Sequence, residues 1–77
     1  MTFTWQSESI EDDTGKGYYV SITQDAYSNL LNVQAWECDG YGLCQHKLNE
    51  ATYHKDDMKK AKATFRRYVR KCKELAE

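Results

Sequence analysis

The chemistry-bearing side chains in this sequence are three cysteines and two histidines. Cys38 and Cys44 flank a glycine-bearing segment, His46 follows two residues later, and Cys72 lies near the C-terminal end. Structural zinc asks for four nitrogen or sulfur ligands in a tetrahedron, commonly supplied as paired Cys-x2-Cys knuckles. Here five residues separate the two nearest thiols and no second pair exists, so neither a metal nor another cofactor is expected. A thiolate activated by an imidazole is the other option, using Cys44 with His46 or His54. Residues two apart in a strand share a face, which would make Cys44 and His46 neighbours. A chain of 77 residues nevertheless offers little room for a water-excluding pocket. The pairs Gly15/Gly17 and Gly40/Gly42 precede no helix, so neither reads as a phosphate-cradling loop. A non-enzymatic protein is expected. The odd cysteine count reads as three reduced thiols, and with no basic start or apolar signal core at the N-terminus the expected home is the cytoplasm.

Two other groups of residues could do binding instead of catalysis. The first is a run of cations, Lys59, Lys62, Arg66, Arg67, Arg70 and Lys73, in the C-terminal stretch. Lys62/Arg66, Arg66/Arg70 and Arg67/Lys71 stand four apart, where like charges on a helix repel by a few tenths of a kcal/mol. Asp56–Lys60, Arg70–Glu74 and Lys73–Glu77 are the expected compensating pairs. Such crowding suits phosphate binding, and it equally suits a solvated face. The second group is Tyr19, Gln34 and Trp36, accompanied by the acidic residues Glu11, Asp12, Asp13, Glu37 and Asp39. Exposed Trp and Tyr on a flat polar surface anchor protein interfaces, and acids beside them would repel phosphates. The balance of charge is split: residues 1–54 carry two lysines against eight carboxylates, and residues 55–77 carry nine cations against four carboxylates. That sidedness points to a charged partner.

The elements that would position these residues follow from periodicity. Met58, Ala61, Phe65, Tyr68, Cys72 and Leu75 recur every three or four residues, the stripe of an amphipathic helix that Val69 and Ala76 widen. The cations fall on its opposite side. Before it, Phe3 and Trp5 alternate with Thr2, Thr4 and Gln6, and Tyr18, Val20 and Ile22 alternate with Tyr19, Ser21 and Thr23. Leu31, Val33 and Ala35 alternate with Asn32, Gln34 and Trp36. Period-2 runs of this composition predict strands. Residues 11–17, 25–29 and 39–42 supply polar turns, the last with a strong hairpin signal. Alternation fails around Asn49–Ala51, so residues 43–53 fit a bulged fourth strand or a short strand with an irregular approach to the helix, with a helical turn using Cys44, Leu48 and Ala51 as a lesser alternative. The expected fold is α+β: a three- to four-stranded antiparallel sheet over residues 1–53 with one long helix, 54–77, packed on one face. Phe3, Trp5, Tyr18, Val20, Ile22, Leu31, Val33 and Phe65 are the expected core.

A hydrophobic fraction of 40% excludes wholesale disorder, and no apolar run reaches the ~20 residues of a membrane helix, so the chain reads as one domain. The strand–strand–strand–helix order, with a tyrosine before an alanine- and lysine-bearing last helix, resembles the arm-type DNA-binding domains of phage-type integrases. The resemblance is one of layout. Those domains enter the major groove with a basic sheet, whereas here the sheet half is acidic, and no binding residue transfers. In size the chain is also similar to small phage proteins that inhibit host defences. The function expected is docking on a protein partner, as such an inhibitor of a host nucleic-acid-handling or defence protein would. The alternative is a DNA- or RNA-binding module using the basic helix face.

Overall fold

The computed structural model describes residues 1–39 and 43–76. Four strands, β1 (Thr2–Glu11), β2 (Gly17–Asp25), β3 (Leu30–Cys38) and β4 (Cys44–His54), form one antiparallel sheet in the order of the chain. A short 3-10 turn, Lys55–Asp57, then leads into the helix α1 (Met58–Ala76), which packs on one face of the sheet. The α+β architecture holds, with four strands. The hairpin turn read at residues 39–42 lies outside the described residues beyond Asp39.

Alternation sets the core. Tyr18, Val20 and Ile22 of β2 and Leu31, Val33 and Ala35 of β3 are buried under Ala61, Phe65, Tyr68, Val69 and Cys72 of α1. Burying a Leu, Ile or Val side chain contributes about 1.5–3 kcal/mol, so these central strands and the helix stripe hold the molecule together. Thr64, which the periodicity did not flag, is also buried, and its hydroxyl meets the Tyr53 hydroxyl at 2.5 Å. A buried hydroxyl needs such a partner, and Tyr53 ties the second turn of the helix to β4.

The helix does not lie parallel to one strand. It starts beside the His54 end of β4, and its flank bearing Thr64 faces that strand. Ala76 at its other end and Ile10 near the end of β1 both pack on the core. The crossing is therefore diagonal, from the β4 side to the β1 side. Phe3 and Trp5 sit at the β1 corner that this diagonal leaves open, and they are 56% and 51% exposed. Their expected place in the core is thus corrected. Trp5 departs from simple pairing: the β1–β2 register runs Thr4↔Thr23 and then Gln6↔Ile22, so Trp5 is the extra residue of a bulge. Leu75, read as part of the buried stripe, is exposed as well.

β4 carries two more bulges. Ala35 pairs with Asn49 and Trp36 with Lys47, which leaves Leu48 extra; Glu37 pairs with His46 and Cys38 with Cys44, which leaves Gln45 extra. The broken alternation in that stretch has this cause. Bulges on the edge strands β1 and β4 also blunt edges that would otherwise recruit further strands.

Candidate binding surfaces

Pairing across the sheet brings Ser9, Tyr19, Trp36 and Lys47 into one row on the face away from the helix. A second row on that face holds Ser7, Ser21, Gln34 and Glu50. The inferred outward direction of Tyr19, Gln34 and Trp36 holds in the register. Trp36 is fixed by its neighbours. Its Nε1–H donates to Gln34 Oε1 at 3.2 Å, the Gln34 amide donates in turn to Glu50, and Lys47 Nζ bridges to Glu50 at 3.3 Å. Lys47 Nζ also stands 5.9 Å from the centre of the Trp36 ring, within reach of a cation–π attraction. The ring of contacts closes on itself. The hydrogen bond from Gln34, followed by that from Lys47, holds the Glu50 carboxyl below its ordinary pKa.

Tyr19, Ser21, Thr23, Gln34, Trp36 and Cys44 line a shallow depression of about 310 Å³ on this face. Ser21 at its floor is only 3% exposed, so the depression is closed from below by packed side chains. Cys44 forms its wall because it is disulfide-bonded to Cys38, directly across β3 and β4. The reading of three reduced thiols is corrected here. The sequence signal missed was adjacency: two cysteines ending paired strands face each other across a hairpin. With it goes the thiol argument for a cytoplasmic home. Cys72, the remaining free thiol, is buried, and burial pushes its pKa up, away from a nucleophilic thiolate.

The bulge at Gln45 places His46 opposite Glu37 and Cys44 opposite Cys38, on different faces of the sheet. The expectation that Cys44 and His46 are neighbours fails for that reason. Among the described residues no cluster of three or more His, Cys, Asp or Glu is placed to hold a metal.

The acidic residues do not gather around Trp36. Glu37 pairs in register with Tyr18, which puts it on the helix side of the sheet, and it bridges to Lys16 at 3.3 Å. That partner, by hydrogen bond and by charge, raises the Lys16 pKa. Asp12 is occupied in its own turn: it accepts hydrogen bonds from the Thr14 hydroxyl, the Thr14 amide and the Lys16 amide, at 2.7, 2.9 and 2.9 Å. These bonds, that from the Thr14 hydroxyl foremost, lower its pKa from 3.8. Gly15, at a φ of 87°, completes this turn in a conformation that side chains disfavour. Asp13 and Glu11 stay exposed beside it, and Asp39 accepts from the Leu43 amide. Trp36 thus stands on a nearly neutral surface, where Lys47 offsets Glu50, and the acids lie at its end and behind it.

On the helix, Lys59, Lys62, Arg66, Arg67, Arg70 and Lys73 are all exposed, as expected. Lys59, Lys62, Arg66, Arg70 and Lys73 follow steps of three and four, so they form one ridge about 21 Å long at a rise of 1.5 Å per residue. Among the described residues no carboxylate pairs with any cation of α1. The expected Asp56–Lys60 and Arg70–Glu74 pairs do not form; Lys73–Glu77 lies outside the described residues. His54 caps the turn instead, its Nδ1 accepting from the Asp56 amide at 3.2 Å. No helix among the described residues is long and apolar enough to cross a membrane.

No family model, curated protein or solved structure matches the chain.

Proposed function

We propose that this protein is a non-enzymatic binding module that docks a protein partner on its open sheet face, with Trp36 and Tyr19 as anchors. The observation that carries the reading is the closed ring Trp36–Gln34–Glu50–Lys47, two members of which, Trp36 and Gln34, line a shallow depression beside Tyr19. An aromatic held in place before binding loses little conformational entropy on contact, and rigid Trp and Tyr side chains dominate interface energies. Near-neutral surroundings suit a protein surface better than a phosphate backbone. An inhibitor that occupies a nucleic-acid-handling or defence protein is the narrower form of this reading. Glu11, Asp13 and Asp39 at the end of the face would then meet a basic rim on the partner.

The test is affinity capture with the intact protein and with Trp36→Ala, Tyr19→Ala and Arg66→Glu/Arg70→Glu variants. A stoichiometric protein recovered by the parent and the helix variant, but lost with either aromatic, supports docking on the sheet. Recovery of nucleic acid alone would sink it.

A second reading is favoured by one observation, the ridge of helix cations that no carboxylate among the described residues pairs with. Unpaired cations in a line are the usual footprint of phosphate contacts. Under this reading affinity for mixed-sequence DNA or RNA falls steeply with salt, and Arg66→Glu/Arg70→Glu abolishes it.

A further inference from the structure

The open corner at the start of β1 and the cationic ridge of α1 lie on the same side of the sheet. Phe3 pairs with Gln24, in the row that carries Ile22 under the helix, so its ring emerges on the helix side. Trp5 packs against it edge to face, with ring centres 4.9 Å apart, and donates from Nε1 to Gln24 Oε1 at 3.0 Å. The Gln24 amide is itself tied to the Ser28 carbonyl at 2.8 Å. The aromatic pair is therefore braced from beneath while half of each ring faces solvent. Phe3, Trp5, Gln24, Asp25 and Ala26 line an open recess of about 290 Å³.

The ridge turns toward this corner. Thr64 marks the flank of the helix that faces β4. Lys62 and Arg66 lie on the opposite flank, one step beyond Val69 and Phe65 around the helix, and so toward β1. The diagonal crossing puts the early turns of α1 at the same end of the sheet as Phe3 and Trp5. Lys59, Lys62 and Arg66 thus border the open corner from the helix side and the two braced aromatics border it from β1, which makes the corner a shallow groove.

We infer that this groove takes single-stranded nucleic acid, with phosphates along the helix ridge and bases stacked on Trp5 and Phe3. The inference rests on the second reading above and gives it a substrate class. Each element of the groove has a match in that ligand. Lysines and arginines track the backbone, and aromatic faces stack any base without sequence preference. Asp25 at the recess repels phosphate, which fixes the polarity of binding: backbone to the helix, bases to the corner. A paired duplex keeps its bases stacked inside and offers nothing to Trp5.

The chain has two tryptophans, so a Trp36→Phe background leaves Trp5 as the only indole. In that background, short oligothymidylate and oligouridylate are titrated at low salt, beside a duplex of equal length and polyglutamate. Expected are quenching of Trp5 emission by one or both single strands, and affinity about tenfold weaker in Trp5→Ala, the loss of one stacked base. Trp5→Phe should recover most of it. Tighter response to one of the two oligomers tells DNA from RNA. Circular dichroism of each variant confirms folding, and Phe3→Ala gives an independent measure should Trp5→Ala unfold. Equal binding of duplex and single strand with no effect of Trp5→Ala or Phe3→Ala overturns the groove but leaves the helix reading standing. No binding of any nucleic acid at low salt overturns both. Quenching by polyglutamate alone assigns the groove to acidic protein and overturns it too.

Discussion

Asp12 shows how much of the local structure a single side chain can fix. Its carboxylate gathers three donors that close the β1–β2 turn. The pKa of a carboxyl so held is depressed in the folded state, so the stabilisation is present above the unfolded value of 3.8 and is lost as pH falls through the lower, folded value. Melting temperature should therefore decline on acidification below about pH 4, and Asp12→Asn should flatten that decline. An unchanged acid limb in Asp12→Asn would show that the bonds to Thr14 and Lys16 are not retained in solution. Thr64 makes the complementary case in the interior. Thr64→Val keeps the shape and removes the hydroxyl that meets Tyr53, and urea unfolding should register a loss of about 1 kcal/mol. Tyr53→Phe with Thr64→Val should cost no more than either change alone, since the pair is then replaced as a unit.

Among the elements, the two hairpins at the edges depart most from what residue patterns show. The central strands were legible because alternation of Tyr18, Val20 and Ile22, and of Leu31, Val33 and Ala35, needs only a period of two. The helix was legible for the same reason at its own period. Bulges at Trp5, Leu48 and Gln45 are invisible to such counting, because each moves the residues beyond it to the other face. The bulge at Gln45 is what separates Cys44 from His46, whereas Phe3 and Trp5 lie on the helix side and escape the core because the diagonal helix leaves their corner uncovered. Tyr19, Gln34 and Trp36 share the face away from the helix because no bulge interrupts β2 or its pairing with β3, and all three are half-buried there. The disulfide escaped because an odd cysteine count says nothing about which two residues face each other. Its contribution can be measured. Cys38 and Cys44 are six apart, and closing so short a loop stabilises by about 2 kcal/mol on the chain-entropy account. For a chain of this size that corresponds to a melting temperature about 10 °C lower after reduction or in Cys38→Ser/Cys44→Ser. Since Cys44 walls the Trp36 depression, reduction should also weaken any partner held there. A melting curve indifferent to reductant would mean that the bridge contributes no stability.

At the scale of the whole molecule, the helix serves two demands whose energetic signs are opposed. Its inner stripe of Ala61, Phe65, Tyr68, Val69 and Cys72 supplies half of the core. Phe65→Ala should cost about 3–5 kcal/mol, a large share of the stability of a small domain, and urea unfolding should show the midpoint displaced accordingly. Its outer ridge gives nothing back to folding. Like charges at Lys62/Arg66 and Arg66/Arg70 repel, and no described carboxylate relieves them. Replacing Arg66 with Glu turns both of those repulsive pairs into attractive ones. Arg66→Glu should thus raise stability by a few tenths of a kcal/mol in urea or thermal unfolding. The same change should remove binding to single-stranded oligonucleotides and leave docking through Trp36 untouched. A surface that is retained for solvation would show the stability gain with no loss anywhere. A surface retained for an anionic partner shows gain and loss together, and raising the salt concentration should erase the gain and mimic the loss in the parent protein, because both arise from the same unscreened charges.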